Sequence, residues 1–336
     1  MSSVLQPQSP AILSVRHLSV QFRPRGLPWQ RRAAIQAVDD LHLDLRAGET
    51  LGIVGESGCG KSTLARTLVG LQQADSGSIR YAGQELTALS KKDWRPLRRE
   101  IQMVFQDPLA SLNPKMTIGQ IVAEPLRELC PEIPAAQHPQ RVAQMLERVG
   151  LSPDIVDRHP HEFSGGQAQR IGIARALIVQ PKVLICDEAV SALDVSVRAQ
   201  IVNLLAELRR EYGLTLIFIA HDLAIVRYLC DRVVVMYLGK VMEQAPSEEL
   251  FALPRHPYTR ALLAAAPGAQ AAAGAAKKAR AKGGQPDPAH PPMGCVFSTR
   301  CPLVESACVR SAPNLRRTGP EHYAACHFVA APDSTH

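Results

Sequence analysis

Residues 49–71 read ETLGIVGESGCGKSTLARTLVGL: an apolar run, a glycine-rich turn and an amphipathic segment in immediate succession. Few folds accommodate that order. ETLGIVG (49–55) has the composition of a strand buried on both faces, and KSTLARTLVGL (61–71) that of a helix. Between them Gly55, Glu56, Ser57, Gly58, Cys59, Gly60, Lys61 and Ser62 match G-x-x-x-x-G-K-[ST] in full, and Thr63 follows. Glycines let the backbone turn tightly enough for its N–H groups to converge. The following helix points its N-terminus, with partial positive charge, at the same place. Such a turn wraps phosphate: Lys61 reaches the outer phosphates and the Ser62 hydroxyl meets magnesium. Cys59 reads first as a small filler. A helix N-terminus can also lower a thiol's pKa, so alkylation of Cys59, blocked by bound nucleotide, is a second expectation.

The flanking sequence predicts an α/β fold. Residues 12–22 and 35–45 partly alternate and predict an antiparallel β layer around the basic loop RGLPWQRR (25–32). VLICD (183–187) and LTLIFIA (214–220) read as short buried strands. Helices are expected over 195–211 and over HDLAIVRYL, and RVVVMYLGKVMEQ (232–244) as a hairpin turning at Leu238–Gly239. Residues 90–165 are expected to be mostly helical, with breaks at Pro108, Pro114, Pro125, Pro139 and Pro160. Strand–helix alternation implies a mainly parallel sheet covered by helices. Residues 266–292, rich in Ala, Gly and Pro, read as a linker to a cysteine-bearing tail.

VLICDE places two carboxylates at the end of a buried strand. Asp187 is expected to hold magnesium, as the second acidic motif of nucleotide hydrolases does. Glu188 is expected to act as general base on the attacking water. The net charge of +7 raises nucleic acid or a membrane surface as partners. Aromatics at 4% leave little to stack bases on, and part of the excess sits in local runs at 25–32 and 277–282, so no nucleic acid is expected. No apolar run approaches the ~20 residues of a membrane span, and MSSVLQPQSPAILSV lacks the layout of a secretion signal. A cytoplasmic placement is therefore expected.

Cysteine usage then becomes informative. Cys59, Cys130, Cys186 and Cys230 are scattered, whereas Cys295, Cys301, Cys308 and Cys326 follow C-x5-C-x6-C-x17-C in the tail. Disulfides are disfavoured in a reducing compartment. The C-x2–4-C pairs usual for zinc are absent. Four thiolates can hold an iron–sulfur cluster; zinc and a set of free thiols remain open. His322 and His327 are bystanders or substitute ligands.

FSGGQAQRIGIARAL (163–177) resembles the signature of ATP-binding cassette (ABC) ATPases. The other family motifs occur in order: Gln106 in VFQDP resembles the Q-loop, Ser191 to Asp194 (SALD) the D-loop, and His221 in IFIAHD the switch histidine. Phe22 sits where such proteins stack an aromatic on adenine. The resemblance spans 12–265. VFQDPLASLNPKMTIGQIVAEPL, DEAVSALDVS, FIAHDLAIV and HPYTRALL are similar to the peptide-importer branch, above all the F-type ATP-binding subunits of oligopeptide permeases, with the dipeptide equivalents next. Three departures stand out: Ala168 where many relatives have Arg, Ala189 where this branch usually has Pro, and Phe163 in place of the more general Leu.

The resemblance implies a P-loop fold of ABC type: a mixed sheet core, an antiparallel β layer, an inserted helical subdomain at about 90–165 and a small Cys-rich tail at 293–330. It implies ATP with Mg2+ held by Ser62, Gln106 and Asp187, and hydrolysis by Glu188, His221 and Lys61. Ser164, Gly165, Gly166, Gln167 and Asp194 would act on the nucleotide of a second cassette, facing head to tail. That second cassette would be a sibling subunit rather than a second copy. Two transmembrane permease subunits would dock near LASLNPKMT (109–117), at the cytoplasmic face of the inner membrane. An extracytoplasmic peptide-binding protein would take part indirectly. Relatives with a similar tail bind a [4Fe–4S] cluster, which carries over to Cys295, Cys301, Cys308 and Cys326. The competing classes are a nucleic-acid repair cassette and a catalytically dead binding cassette. The first is disfavoured by a single cassette without CxxC pairs, the second by the retained Lys61, Asp187, Glu188 and His221.

Overall fold

The structure, a computed structural model, describes residues 11–22, 34–90, 92–266, 284 and 286–329. The basic loop at 25–32, the run at 277–282 and most of the expected linker lie outside them.

Two sheets form. The first is antiparallel and orders β2 (Ile35–Arg46), β1 (Ala11–Phe22), β4 (Ser76–Tyr81) and β5 (Gln84–Glu85) side by side. The second has parallel neighbours β9 (Arg232–Tyr237), β3 (Thr50–Val54), β8 (Thr215–Ile219), β7 (Val183–Asp187) and β6 (Ile101–Val104), in that order. On the β9 side β10 (Lys240–Pro246), then β12 (Tyr323–Ala324) and β11 (Arg316–Arg317), continue it antiparallel.

Burial follows the period of two that strands impose. Val183 and Ile185 of β7 pack with the antiparallel sheet and with Leu64 and Leu68 of α1 (Lys61–Leu68). Leu184 and Cys186, between them, pack on the opposite face with helices α5 (Gly165–Leu177) and α6 (Val195–Tyr212). With both faces covered, the parallel strands read as unbroken apolar runs.

Residues 90–165 are less helical than expected. IQMV forms β6, pairing in parallel with β7 from Ile101↔Val183 to Val104↔Cys186. Its four residues are too few to show a period, and only the free edge of β7 makes them a strand. Helices α2 (Trp94–Glu100), α3 (Ile118–Leu129) and α4 (His138–Arg148) make up the rest, joined by turns. Pro125 does not break α3 but lies within it. A helix-interior proline costs ~3 kcal/mol, while each fully buried aliphatic side chain contributes about 1.5–3 kcal/mol. Ile118, Ile121, Val122 and Leu126 are all buried on one face, so packing wins. Helix α1 stops at Leu68, earlier than the apolar pattern suggests, because Gly70 turns the chain at φ 70°.

The tail is built onto this frame. Helices α7 (Leu223–Leu229), α8 (Ser247–Ala252) and α9 (Pro257–Ala265) precede it, and α10 (Ser306–Arg310) lies inside it. Strand β12 pairs with β10 through Glu243↔Ala324 and Gln244↔Tyr323. His322, fully buried, meets Glu243 at 2.6 Å through Nε2 and Glu249 at 2.8 Å through Nδ1. Both ring nitrogens are engaged, so His322 is not a substitute ligand for the tail cysteines. His327 places Nε2 at 2.9 Å from the Ser311 carbonyl.

Burial alone would lower the His322 pKa, but its bonds to Glu243 and Glu249 raise it above the ordinary 6.5. Its stabilisation is complete below that unfolded value and is lost as pH rises through the folded one. Glu243 runs the other way. Burial would raise it, yet His322 and the Arg255 and His256 amides hold it below 4.5, so its contribution is lost as pH falls through that lowered value. Buried His256, pushed down to about 4 by desolvation, stays neutral and destabilises the fold on the acid side. Comparing His322→Gln with the parent isolates the first effect. The variant should lose about 3 kcal/mol near pH 6, with the gap in Tm narrowing as pH rises. A gap constant from pH 6 to 9 would contradict this account.

Candidate functional site

The carboxyl ends of β3, β7 and β8 lie side by side, with Ile53↔Ile219 and Asp187↔Ile219 in register. Ligands of parallel sheets sit at such ends. The turn after β3 wraps there. Gly55 (φ 154°) and Gly60 (φ 106°) leave no room for side chains: a Cβ would fall 2.2 Å from the Met236 carbonyl oxygen and 1.9 Å from that of Ala37, respectively. Lys61, 4% exposed, donates from Nζ to the carbonyls of Gly55 (2.9 Å) and Glu56 (3.0 Å). Its Nζ also stands 4.0 Å from Glu188 Oε1.

Three further side chains, Ser62, Asp187 and Gln106, join the site. Ser62 Oγ donates to Asp187 Oδ1 at 2.8 Å. Gln106, two residues beyond β6, donates from Nε2 to Glu188 Oε2 at 2.9 Å. Burial raises the Asp187 pKa, the Ser62 bond opposes this, and neighbouring Glu188 adds to the rise. Glu188 itself holds a left-handed backbone (φ 47°), fixed by its N–H to the Ile219 carbonyl at 3.0 Å. A cavity of about 490 Å³ opens here, lined by Ser57, Gly58, Lys61, Ser62, Thr63, Gln106 and Glu188. Phe22, paired with Ile35 across the antiparallel sheet and 40% exposed, lines the same cavity.

Other expected residues stand apart. Ser164 caps α5 reciprocally with Gln167, and Ser164 and Gln167 are exposed. None of Ser164 to Gln167 lines the cavity. Gly165 and Gly166 lie against Leu193 and Val197, so the signature abuts the turn that carries Asp194. His221, just past β8, shares a small pocket with Glu188, Ser191, Arg198 and Asp222. Arg198 ties that region together, donating to Asp222 Oδ2 (3.2 Å) and to the Leu193 carbonyl (3.1 Å). Ala168 is fully buried and Ala189 nearly so.

Sequence reasoning missed Arg198, Tyr258 and Arg300. Tyr258 Oη accepts from the Glu56 amide at 3.0 Å, and Arg300 meets Glu56 Oε2 at 2.7 Å. Tyr258 lies within HPYTRALL, a stretch noted without a role.

Two sets of thiols differ from expectation or extend it. Cys59 is 1% exposed, and burial pushes its thiol pKa up against the pull of Lys61 Nζ, 3.7 Å from Sγ. It is a filler, not an activated thiol. In the tail, Cys295, Cys301 and Cys308 are buried, Cys326 is half-buried, and all four are free. Burial, opposed by the Phe297 backbone bond and helped by the charges of Cys308, Cys301 and Cys326, pushes Cys295 up to about 11. Among the described residues, His17, Asp40 and His42 on the antiparallel sheet place three ligand atoms within 4.8 Å of one another; the tail cysteines are not that close.

Comparison with known proteins agrees with this geometry. Residues 38–191 match the ABC transporter family and 242–308 the C-terminal region of oligopeptide/dipeptide transporters. The oligopeptide transport ATP-binding protein OppF of Escherichia coli (strain K12) is 54% identical over 308 residues, 90% of this chain and 92% of that protein. OppF of Haemophilus influenzae is 50% identical over 319 residues, 94% and 96% respectively. The dimeric structure of MJ0796, a bacterial ABC transporter cassette, is similar with a TM-score of 0.63 and 25% identity, over 70% of this chain and 98% of that one.

Burial of Cys59 makes a direct forecast. At neutral pH a small alkylating reagent should modify it at least ~10-fold more slowly than an exposed thiol, with or without ATP. Peptide mapping after timed labelling measures this; rapid labelling that ATP blocks would restore the reactive-thiol expectation.

Proposed function

Since the chain belongs to the ABC transporter ATPases, we propose that it is the ATP-hydrolysing subunit of a peptide importer, of the kind represented by OppF. The observation that carries this is the convergence of Lys61, Ser62, Gln106, Asp187 and Glu188 at the carboxyl ends of three adjacent parallel strands.

Each residue has a role that its position supports. The amides of residues 55–63 and the N-terminus of α1 receive the phosphates. Lys61 exchanges its carbonyl partners for phosphate oxygens. Ser62 Oγ and Asp187 Oδ1, 2.8 Å apart at the cavity, offer the hard oxygen ligands that magnesium takes, with Gln106 beside them. Magnesium, when bound, neutralises charge on the phosphates. Glu188 accepts the proton of the attacking water. His221, close by in the small pocket, orients that water and the transferred phosphate. Phe22 stacks on the base.

Ser164 and Gln167 are exposed, and none of Ser164 to Gln167 lines the cavity of its own chain. The signature therefore completes the site of a second cassette, and a sibling subunit is the favoured partner. Loop 109–117 docks the permease subunits; the Ser111 carbonyl accepts from Arg175 of α5 at 2.6 Å, which couples the loop to the signature helix. No described helix is long and apolar enough to cross a membrane, consistent with a peripheral subunit at the cytoplasmic face of the inner membrane. Residues 12–265 form the cassette, its helical subdomain lying within 90–165 beyond β6, and the expected tail 293–330 is its appendage.

Glu188→Gln tests the catalytic assignment. Steady-state ATP turnover of the assembled transporter should fall ~10²–10⁴-fold while ATP binding persists; turnover near the parent's would remove Glu188 from the chemistry. For the tail we propose a [4Fe–4S] cluster on Cys295, Cys301, Cys308 and Cys326. Support comes from four free thiols on one small unit, within electrostatic reach of one another. Protein purified without oxygen should carry about four irons and four sulfides per chain, lost in Cys301→Ser/Cys308→Ser. Absence of both elements from the parent would leave a thiol or zinc fold.

A further inference from the structure

The tail reaches the phosphate loop itself. Glu56, the first residue after Gly55, is held at three points. Its amide donates to Tyr258 Oη of α9 at 3.0 Å, and its carbonyl accepts from Lys61 Nζ at 3.0 Å. Its carboxylate pairs with Arg300 Nη1 at 2.7 Å. Arg300 is 12% exposed and Glu56 29%. The guanidinium lies 5.7 Å from the centre of the Tyr237 ring and donates to its hydroxyl at 3.3 Å. The Glu56 bond and the Tyr237 contact raise the Arg300 pKa despite its burial.

The tail also walls the cavity. Pro291, Pro292, Gly294 and Val296 line it, as Ser57 and Lys61 do. Part of the stretch expected to be a linker is thus a cavity wall. The wall is pinned: the Cys295 amide donates to the Cys308 carbonyl at 2.8 Å, and fully buried Phe297 packs on Tyr237 and Tyr258 at 5.4 and 5.3 Å between ring centres.

We propose that the C-terminal region is a component of the nucleotide site in cis, with Arg300 as a positioning residue that acts through Glu56. Glu56 puts a negative charge into a loop that must receive a polyanion. Arg300 neutralises that charge and holds the carboxylate away from the loop's amides, which converge on phosphate. Removing Arg300 leaves an unpaired carboxylate beside the incoming triphosphate and frees one of the three ties on Glu56.

This inference rests on residues 55–63 holding the nucleotide. The test measures affinity of the full-length chain for Mg-ATP by displacement of a fluorescent ATP analogue, and KM and kcat of the assembled transporter. Arg300→Ala should weaken binding roughly five- to twentyfold and raise KM more than it lowers kcat. Arg300→Lys should recover most of the affinity. Adding Glu56→Gln to Arg300→Ala should also recover it, since the repelling charge is then gone. If Arg300→Ala does not fold, Arg300→Met keeps the stem packed on Tyr237 and reads the same affinity. Parent-like affinity, or a loss that neither Arg300→Lys nor added Glu56→Gln repairs, overturns the proposal. Lys61→Ala serves as the control. Binding lost in Lys61→Ala but normal in Arg300→Ala refutes the tail's role alone, whereas binding retained in Lys61→Ala refutes the nucleotide assignment beneath it.

Discussion

The structure turns on one buried ammonium. Lys61 is almost wholly withdrawn from water, and a charge in that position survives only with partners close by. Two loop carbonyls and the Glu188 carboxylate supply them. That arrangement needs β3 and β7 to end at the same level, which their shared neighbour β8 enforces. It also needs the loop to curl back over its own strand, which only glycine permits at positions 55 and 60. The sheet order, the antiparallel layer pressed on α1 and the helices behind β7 all hold this one cluster in place.

Several parts of the fold converge on Glu188, which carries a backbone strain of about 1–3 kcal/mol. Its amide is tied to β8, its carbonyl accepts from the Ser191 amide and hydroxyl, and its side chain accepts from Gln106. Gln106 hangs between β6 and the loop leading to α3. The loop is secured in turn to α5, where Arg175 donates to the Ser111 carbonyl. Packed elements linked in this way respond as units with discrete arrangements.

The tail is part of the same solid. It lengthens the main sheet through β12, buries His322 between two glutamates of the cassette, and adds Arg46–Glu321 as an ion pair to the end of β2. Its aromatic residue Phe297 completes a cluster begun by Tyr237 and Tyr258. A short cysteine-bearing segment cannot bury much apolar surface alone; here it borrows the cassette's core, and in return supplies part of the cavity wall.

The strand–turn–helix at 49–71, the strand ending in Asp187–Glu188 and the hairpin turn at Leu238–Gly239 were legible in the sequence because their signals are local. Each depends on composition, period and turn chemistry within a dozen residues. β6 and the helical Pro125 were not legible, since a free sheet edge in one case and a buried face in the other overrode local preference. Nor were the ties on Glu56: Tyr258 lies 202 residues away and Arg300 244. The sequence by itself determined the phosphate loop, its acidic partners and the alternating fold, because short-range sterics and hydrophobic period specify them. Only the tertiary structure decided that Cys59 is buried, that Gln106 meets Glu188 and that the tail grips the loop, because burial and ion pairing arise only when distant segments share one space.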